Sequence, residues 1–154
     1  MNLYASHHYS DYMDDVKVSD LILTDEHDVV DMEDSISNAA TKLLSLGRGI
    51  LIVLGDDNKV KGIVTPNQVL AAVSGGGDPS SQTVGEHMDA DVMEVDQYDK
   101  VDEIIELMNE RKPHAVVAVD SDGKFSGYFS PNDYREALAH IEARPAIKRL
   151  AQHE

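Results

Sequence analysis

Lys124-Phe-Ser-Gly-Tyr-Phe-Ser-Pro-Asn-Asp-Tyr134 runs from an aromatic strand pattern through Gly127 into Ser130-Pro131-Asn132-Asp133, a helix start. A weaker copy of the phrase, Lys61-Gly-Ile-Val-Thr-Pro-Asn-Gln68, stands earlier in the chain. Gly62, Thr65 and Gln68 each lie 65 positions before Gly127, Ser130 and Asp133. A repeat of that period organises the remaining sequence.

Working outward, each closing phrase is preceded by the same order of elements. Asp28 to Met32 reads as a short strand. Asp34 or Ser35 can cap a helix whose apolar positions Ile36, Ala39, Ala40 and Leu43 share one face, and Gly47 and Gly49 end it. Ile50 to Leu54 is a continuous apolar run, suited to a strand covered on both sides. Gly55 to Asn58 supplies a turn, Val60 to Val64 a second strand, and Pro66 to Val73 a second helix. In the second copy Asp91 to Val95 answers the first strand, and Asp99 is expected to cap a helix with Val101, Ile104, Ile105 and Met108 inward. Ala115 to Val119, the turn Asp120 to Gly123, Phe125 to Phe129 and a helix from Pro131 to about Ala143 follow. Val84-Gly-Glu-His-Met88 answers Val18-Ser-Asp-Leu-Ile22 at a spacing of 66, so the first copy carries one additional residue before its first strand.

The expected organisation is an arm over 1–17, repeats over 18–73 and 84–143, a Gly/Ser-rich linker over 74–83, and an extension over 144–154 that could hold a short helix from Ala146 to Gln152. His7-His8 beside Asp11 could ligate a metal, but spacing fixes no third ligand there, and a solvated tail accounts for them. Hydrophobic residues at 42% and charged residues at 27% fit a globular protein. The longest apolar run is too short for a bilayer, no secretory signal is visible, and there is no cysteine, so the cytoplasm is the expected location. A formal net charge of −16 argues against duplex phosphate as a partner.

The two copies of strand–helix–strand–strand–helix, each ending in Gly, two apolar residues and the Ser/Thr-Pro-Asn-Asp/Gln phrase, resemble the CBS domain (the cystathionine beta-synthase domain), which occurs in pairs called Bateman modules. The resemblance covers about residues 18–141. It implies an α+β fold in which two repeats pack sheet to sheet with pseudo-twofold symmetry and leave two clefts. It also implies an adenosine-containing regulatory ligand (AMP, ADP, ATP or S-adenosylmethionine, with or without magnesium), a homodimer, and an effector protein that reads the occupied state.

In the family, the acidic residue of the closing phrase bonds the ribose hydroxyls and the Ser or Thr sits beside ribose or phosphate. Carried over, these roles fall on Asp133 and Ser130, with Pro131 at the helix start. A capping box explains the same residues without a ligand. Thr65 and Gln68 are the first-copy counterparts, and Gln68 lacks the charge of a carboxylate, so occupancy is expected at the second copy and weak or absent at the first. The base is expected against His114, Ala115 and Val116, with Val92 and Met93 opposite; His114 could stack on it or contact phosphate. Arg111, Lys112 and Arg135 are the nearest cations, although cations at a helix C-terminus need no ligand.

No catalytic motif is present: there is no nucleophile elbow, no phosphate loop and no His-x-x-x-His pair, and Gly75 to Gly77 lack a strand-to-helix context. The chain is therefore expected to be a sensor and not an enzyme. The alternatives are a ligand-free association module and a divalent-cation sensor.

Overall fold

A computed structural model describes residues 16–21 and 27–139. The arm up to residue 15, with His7 and His8, the additional residue of the first copy, and the extension with its short helix lie outside the described residues. Two three-stranded sheets, β1 (His27–Asp31), β2 (Ile50–Leu54), β3 (Val60–Val64) and β4 (Val92–Asp96), β5 (Ala115–Val119), β6 (Phe125–Phe129), are each ordered with the second strand central. The outer pairings are parallel β1 to β2 and antiparallel β2 to β3, repeated as β4 to β5 and β5 to β6. Helices α1 (Ile36–Leu46) and α2 (Pro66–Ser74) belong to the first repeat. The short α3 (Val84–His87), α4 (Val101–Arg111) and α5, helical over 131–139, follow.

Side-chain alternation along the central strands builds three layers of core. Ile50 and Ile52 of β2 turn toward Ala115 and Val117 of β5, and with Ile63 and Tyr128 they form the contact between the two sheets. Leu51 and Val53 point the other way, into a cluster with Ala39 and Val64 under α1 and α2. Val116 and Ala118 do the same beneath α4 and α5, with Ile104, Ile105 and Ala137. Each central strand is thus buried on both faces, which is why both read as unbroken apolar runs.

The two repeats exchange their opening turns. Val18, in a 3₁₀ turn over Val18–Asp20, is buried in the second repeat's cluster, and Val84 of α3 in the first repeat's. The backbone bonds are reciprocal: Val18 N donates to Asp99 O and Val84 N to Asp34 O, while Val101 N donates to Val16 O and Ile36 N to Gln82 O. Bridges Lys17 to Lys100 and Ser35 to Thr83 close the same symmetric arrangement.

Two local expectations change. Ser35 caps α1, accepting from Asn38 N at 3.0 Å, but the cap position of α4 is Lys100, not Asp99. Asp99 instead accepts from Asp96 N at 2.9 Å, and Asp34 accepts from Asp31 N at 3.3 Å in the same way. Both carboxylates close the tight turn that precedes the helix. The Gly/Ser-rich stretch is also anchored, since Ser37 N donates to Pro79 O and Asp78 accepts from Ser80 N at 3.0 Å.

Candidate functional site

The closing phrase is a capping box in both copies. Ser130 N and Ser130 Oγ donate to Asp133 Oδ2 at 2.9 and 3.0 Å, and Asp133 N donates back to Ser130 Oγ at 3.1 Å. Thr65 N and Thr65 Oγ1 donate to Gln68 Oε1 at 2.8 and 2.6 Å. Ser130 and Asp133 are almost wholly buried, at 4% and 2% exposure. Asp133 is therefore a structural acceptor here, packed behind Ser130.

In front of Ser130 opens a cavity of about 280 Å³. One wall is the last turn of α4 and the loop after it, with Met108, Asn109, Lys112, Pro113 and His114. The other is made by Ala115, Val116, Tyr128 and Phe129 of the sheet and by Ser130, Pro131 and Tyr134 at the start of α5. Of the sequence-assigned residues the fold brings His114, Ala115, Val116, Ser130 and Pro131 together there. It does not bring Asp133, Arg135, Val92 or Met93 to the cavity surface: Met93 is 1% exposed in the outer core, Val92 packs beside the sheet contact, and Arg135 donates to Asn132 Oδ1 at 3.4 Å. Thr65 and Gln68 hold the equivalent place at the start of α2.

Sequence reading missed the helix-side wall. Met108 lies on α4's last turn and Lys112 is the residue that ends the helix, its N–H donating to Met108 O at 2.8 Å, and Tyr134 Oη reaches Asn109 Oδ1 at 3.2 Å. Lys112 is one of the cations the sequence places nearest a phosphate, with a solvated helix-end cluster as the alternative. It occupies the left-handed region at φ 47°, where its counterpart in the first repeat is Gly47 at φ 73°.

None of the lining residues is acidic, in a chain of net charge −16. Lys112 supplies one cation. His114 supplies a second when protonated: its Nδ1 lies 2.6 Å from Asp89 Oδ2 and its Nε2 3.6 Å from Asp91 Oδ2. The hydrogen bond to Asp89, then the charge of Asp89, then that of Asp91 hold the imidazole's pKa above its ordinary value against a smaller opposing effect of desolvation. At the same positions the first repeat has Gly47-Arg48-Gly49 in place of Lys112-Pro113-His114. Among the described residues no three His, Asp or Glu side chains converge to hold a metal ion, and no helix is long and apolar enough to cross a membrane.

Comparison with protein families matches residues 18–75 and 84–140 to the CBS domain. Comparison with curated protein sequences found no match. Among solved structures, a CBS domain-containing protein of unknown function from Bacillus anthracis is 20% identical with a TM-score of 0.70, over 84% of this chain and 96% of its own. A CBS-domain-containing protein from Agrobacterium tumefaciens is 26% identical with a TM-score of 0.63, over 80% of this chain and 94% of its own. CBSX2 in complex with AMP, a CBS-pair protein of Arabidopsis thaliana, is 22% identical with a TM-score of 0.66, over 82% of this chain and 98% of its own.

Proposed function

The chain belongs to the CBS domain family, with two copies of the domain, and from that premise we propose that it is a regulatory module binding an adenosine phosphate in the second repeat's cavity. The observation that carries this is the cavity's chemistry: apolar walls from Ala115, Val116 and Phe129, an exposed cation in Lys112, a helix start at Ser130-Pro131, and no carboxylate on the surface. Apolar walls with a few convergent polar groups suit a small organic ligand, and the ammonium of Lys112 suits its anionic end. The AMP bound by CBSX2 supports the same ligand class.

In this arrangement the base lies against Ala115 and Val116, and the phosphate near Lys112 and the start of α5. Asp133 bonds the ribose by exchanging Ser130 Oγ for the sugar hydroxyls as its donors. Gln68, an uncharged acceptor, makes the first-repeat site the weaker one. Occupancy becomes a signal only when the occupied and empty states differ in affinity for an effector protein.

Titration with AMP, ADP, ATP, S-adenosylmethionine and NAD, with and without magnesium, followed by calorimetry and thermal shift, tests the proposal. A specific ligand is expected to add about 2.7 kcal/mol of stability at a hundredfold excess over its dissociation constant. Indifference to every one of these ligands rejects it.

One observation favours a second reading, association. Helices α1 and α2 together carry a single charged residue, Lys42, and they leave Leu44, Leu70 and Val73 at 83%, 65% and 51% exposure. Between them lies an apolar groove of about 360 Å³. A homodimer through this face is compatible with nucleotide binding at the other repeat.

A further inference from the structure

The segment ahead of β4 crosses the first repeat and ends at the cavity. Ile63 N donates to Asp89 O and Asp89 N to Ile63 O, both at 2.9 Å, so Asp89 hangs on β3. The crossing is close: a Cβ on Gly62 would meet Asp89 O at 2.7 Å, a distance that demands glycine there. From this fixed post the Asp89 carboxylate reaches His114 Nδ1 in the second repeat, and Asp91 faces Nε2 while its carbonyl accepts from His114 N at 3.1 Å. Both ring nitrogens are therefore engaged by carboxylates. What His114 has left to offer the cavity it lines is its ring.

We propose that nucleotide binding in this cavity is pH-dependent through His114: its imidazolium, pinned by Asp89 and Asp91, stacks on the purine, and binding weakens when its proton is lost. The proposal rests on the nucleotide reading, takes from it the base contact at His114, and adds the pH dependence. An imidazolium lying over an aromatic face is attracted by the negative potential of that face, and a neutral imidazole loses this attraction. The charged groups in contact with His114 are Asp89 and Asp91 from the segment before β4, and the other titratable groups lining its cavity are Lys112 from the end of α4, Tyr128 from β6 and Tyr134 from α5.

The sign follows from the raised pKa. Protonation of His114 is favoured in the folded chain, so its pairing with Asp89 and Asp91 is complete below the ordinary histidine range and is lost as pH rises through the folded value. AMP affinity is expected to fall about two- to fivefold between about pH 6 and about pH 8.5.

The test uses the whole chain with AMP as the probe, at both pH values, in wild type, His114→Phe and Asp89→Asn, with the His114 ring proton followed by NMR. His114→Phe keeps a ring without a proton: it is expected to retain binding near the high-pH wild-type level and to lose the pH step beyond that set by AMP's own phosphate. Asp89→Asn is expected to lower the NMR midpoint of His114 and move the binding step with it. A pH course identical in wild type and His114→Phe overturns the inference and leaves the nucleotide reading standing. Loss of binding in His114→Phe at both pH values also overturns it, because the imidazole is then a polar ligand contact. A His114 midpoint unmoved in Asp89→Asn removes the pinning on which it depends. Failure of wild type to bind AMP at either pH overturns both.

Discussion

At Lys112 the second repeat departs from the backbone chemistry of the first. Gly47 takes a positive φ at no steric cost, whereas Lys112 takes the left-handed helical conformation with a Cβ, which costs an ordinary residue about 1 kcal/mol or more. That strain sits on a residue lining the cavity. Lys112→Gly is therefore expected to raise stability by about 1 kcal/mol in urea unfolding while weakening a phosphate-bearing ligand, and a variant that loses stability would show that the side chain is held by packing instead. Asp133 poses the complementary case. Its carboxylate closes a capping box that Gln68 closes with an amide, so the cap does not require charge. Asp133→Asn is expected to cost under about 1 kcal/mol of stability, read as a small shift of the unfolding midpoint. Its effect on AMP binding should be large if the carboxylate receives the ribose hydroxyls, and unchanged affinity would leave Asp133 as a cap alone.

Among the elements, the exchanged turns decide how the halves depend on each other. Val18 and Val84 are each wholly buried in the other repeat's core. Val84→Ala is expected to cost about 2 kcal/mol and to lower hydrogen-exchange protection of β1 and β2 before that of β5, although position 84 lies in the second half of the sequence. Equal loss in both sheets would mean that the repeats unfold as one unit. This exchange was not legible in the sequence. Apolar periodicity tells which face of a turn is buried, and Val18 and Val84 fit their own repeats' strands as well as those of the other. The strands and helix faces were legible because burial on both sides of β2 and β5 leaves no polar position to obscure them, and because the apolar helix positions and the closing phrase recur 65 positions on. The candidate site was half legible. Motif residues Ser130 and Pro131 and strand residues Ala115 and Val116 reach the cavity, but Asn109 and Tyr134 enter it through the packing of α4 on α5, which no local pattern records.

For the whole molecule, net charge governs how copies can meet. Two chains at −16 repel at long range, and α4 presents Asp102, Glu103, Glu106 and Glu110, so a contact through the second repeat's helices would stack carboxylates. The face of α1 and α2 is free of that cost. Its one charged side chain, Lys42, is tied to Val29 O at 2.8 Å, and its groove is lined by Ala40, Leu43, Leu44, Gly47, Pro66, Val69 and Leu70. An isologous twofold contact lets Leu44 or Leu70 of each copy enter the groove of the other, which satisfies both exposed leucines at once. Salt separates this arrangement from an ionic one: screening removes the repulsion between copies and leaves apolar contact intact, so dimerisation is expected to tighten from low to high ionic strength in sedimentation equilibrium. Leu44→Glu and Leu70→Glu are each expected to give a monomer with stability within about 0.5 kcal/mol of wild type, because both side chains are exposed in the single chain. A wild-type chain that stays monomeric at every salt concentration rejects this face as a self-contact, and a dimer that loosens with salt places the contact on charged surface instead.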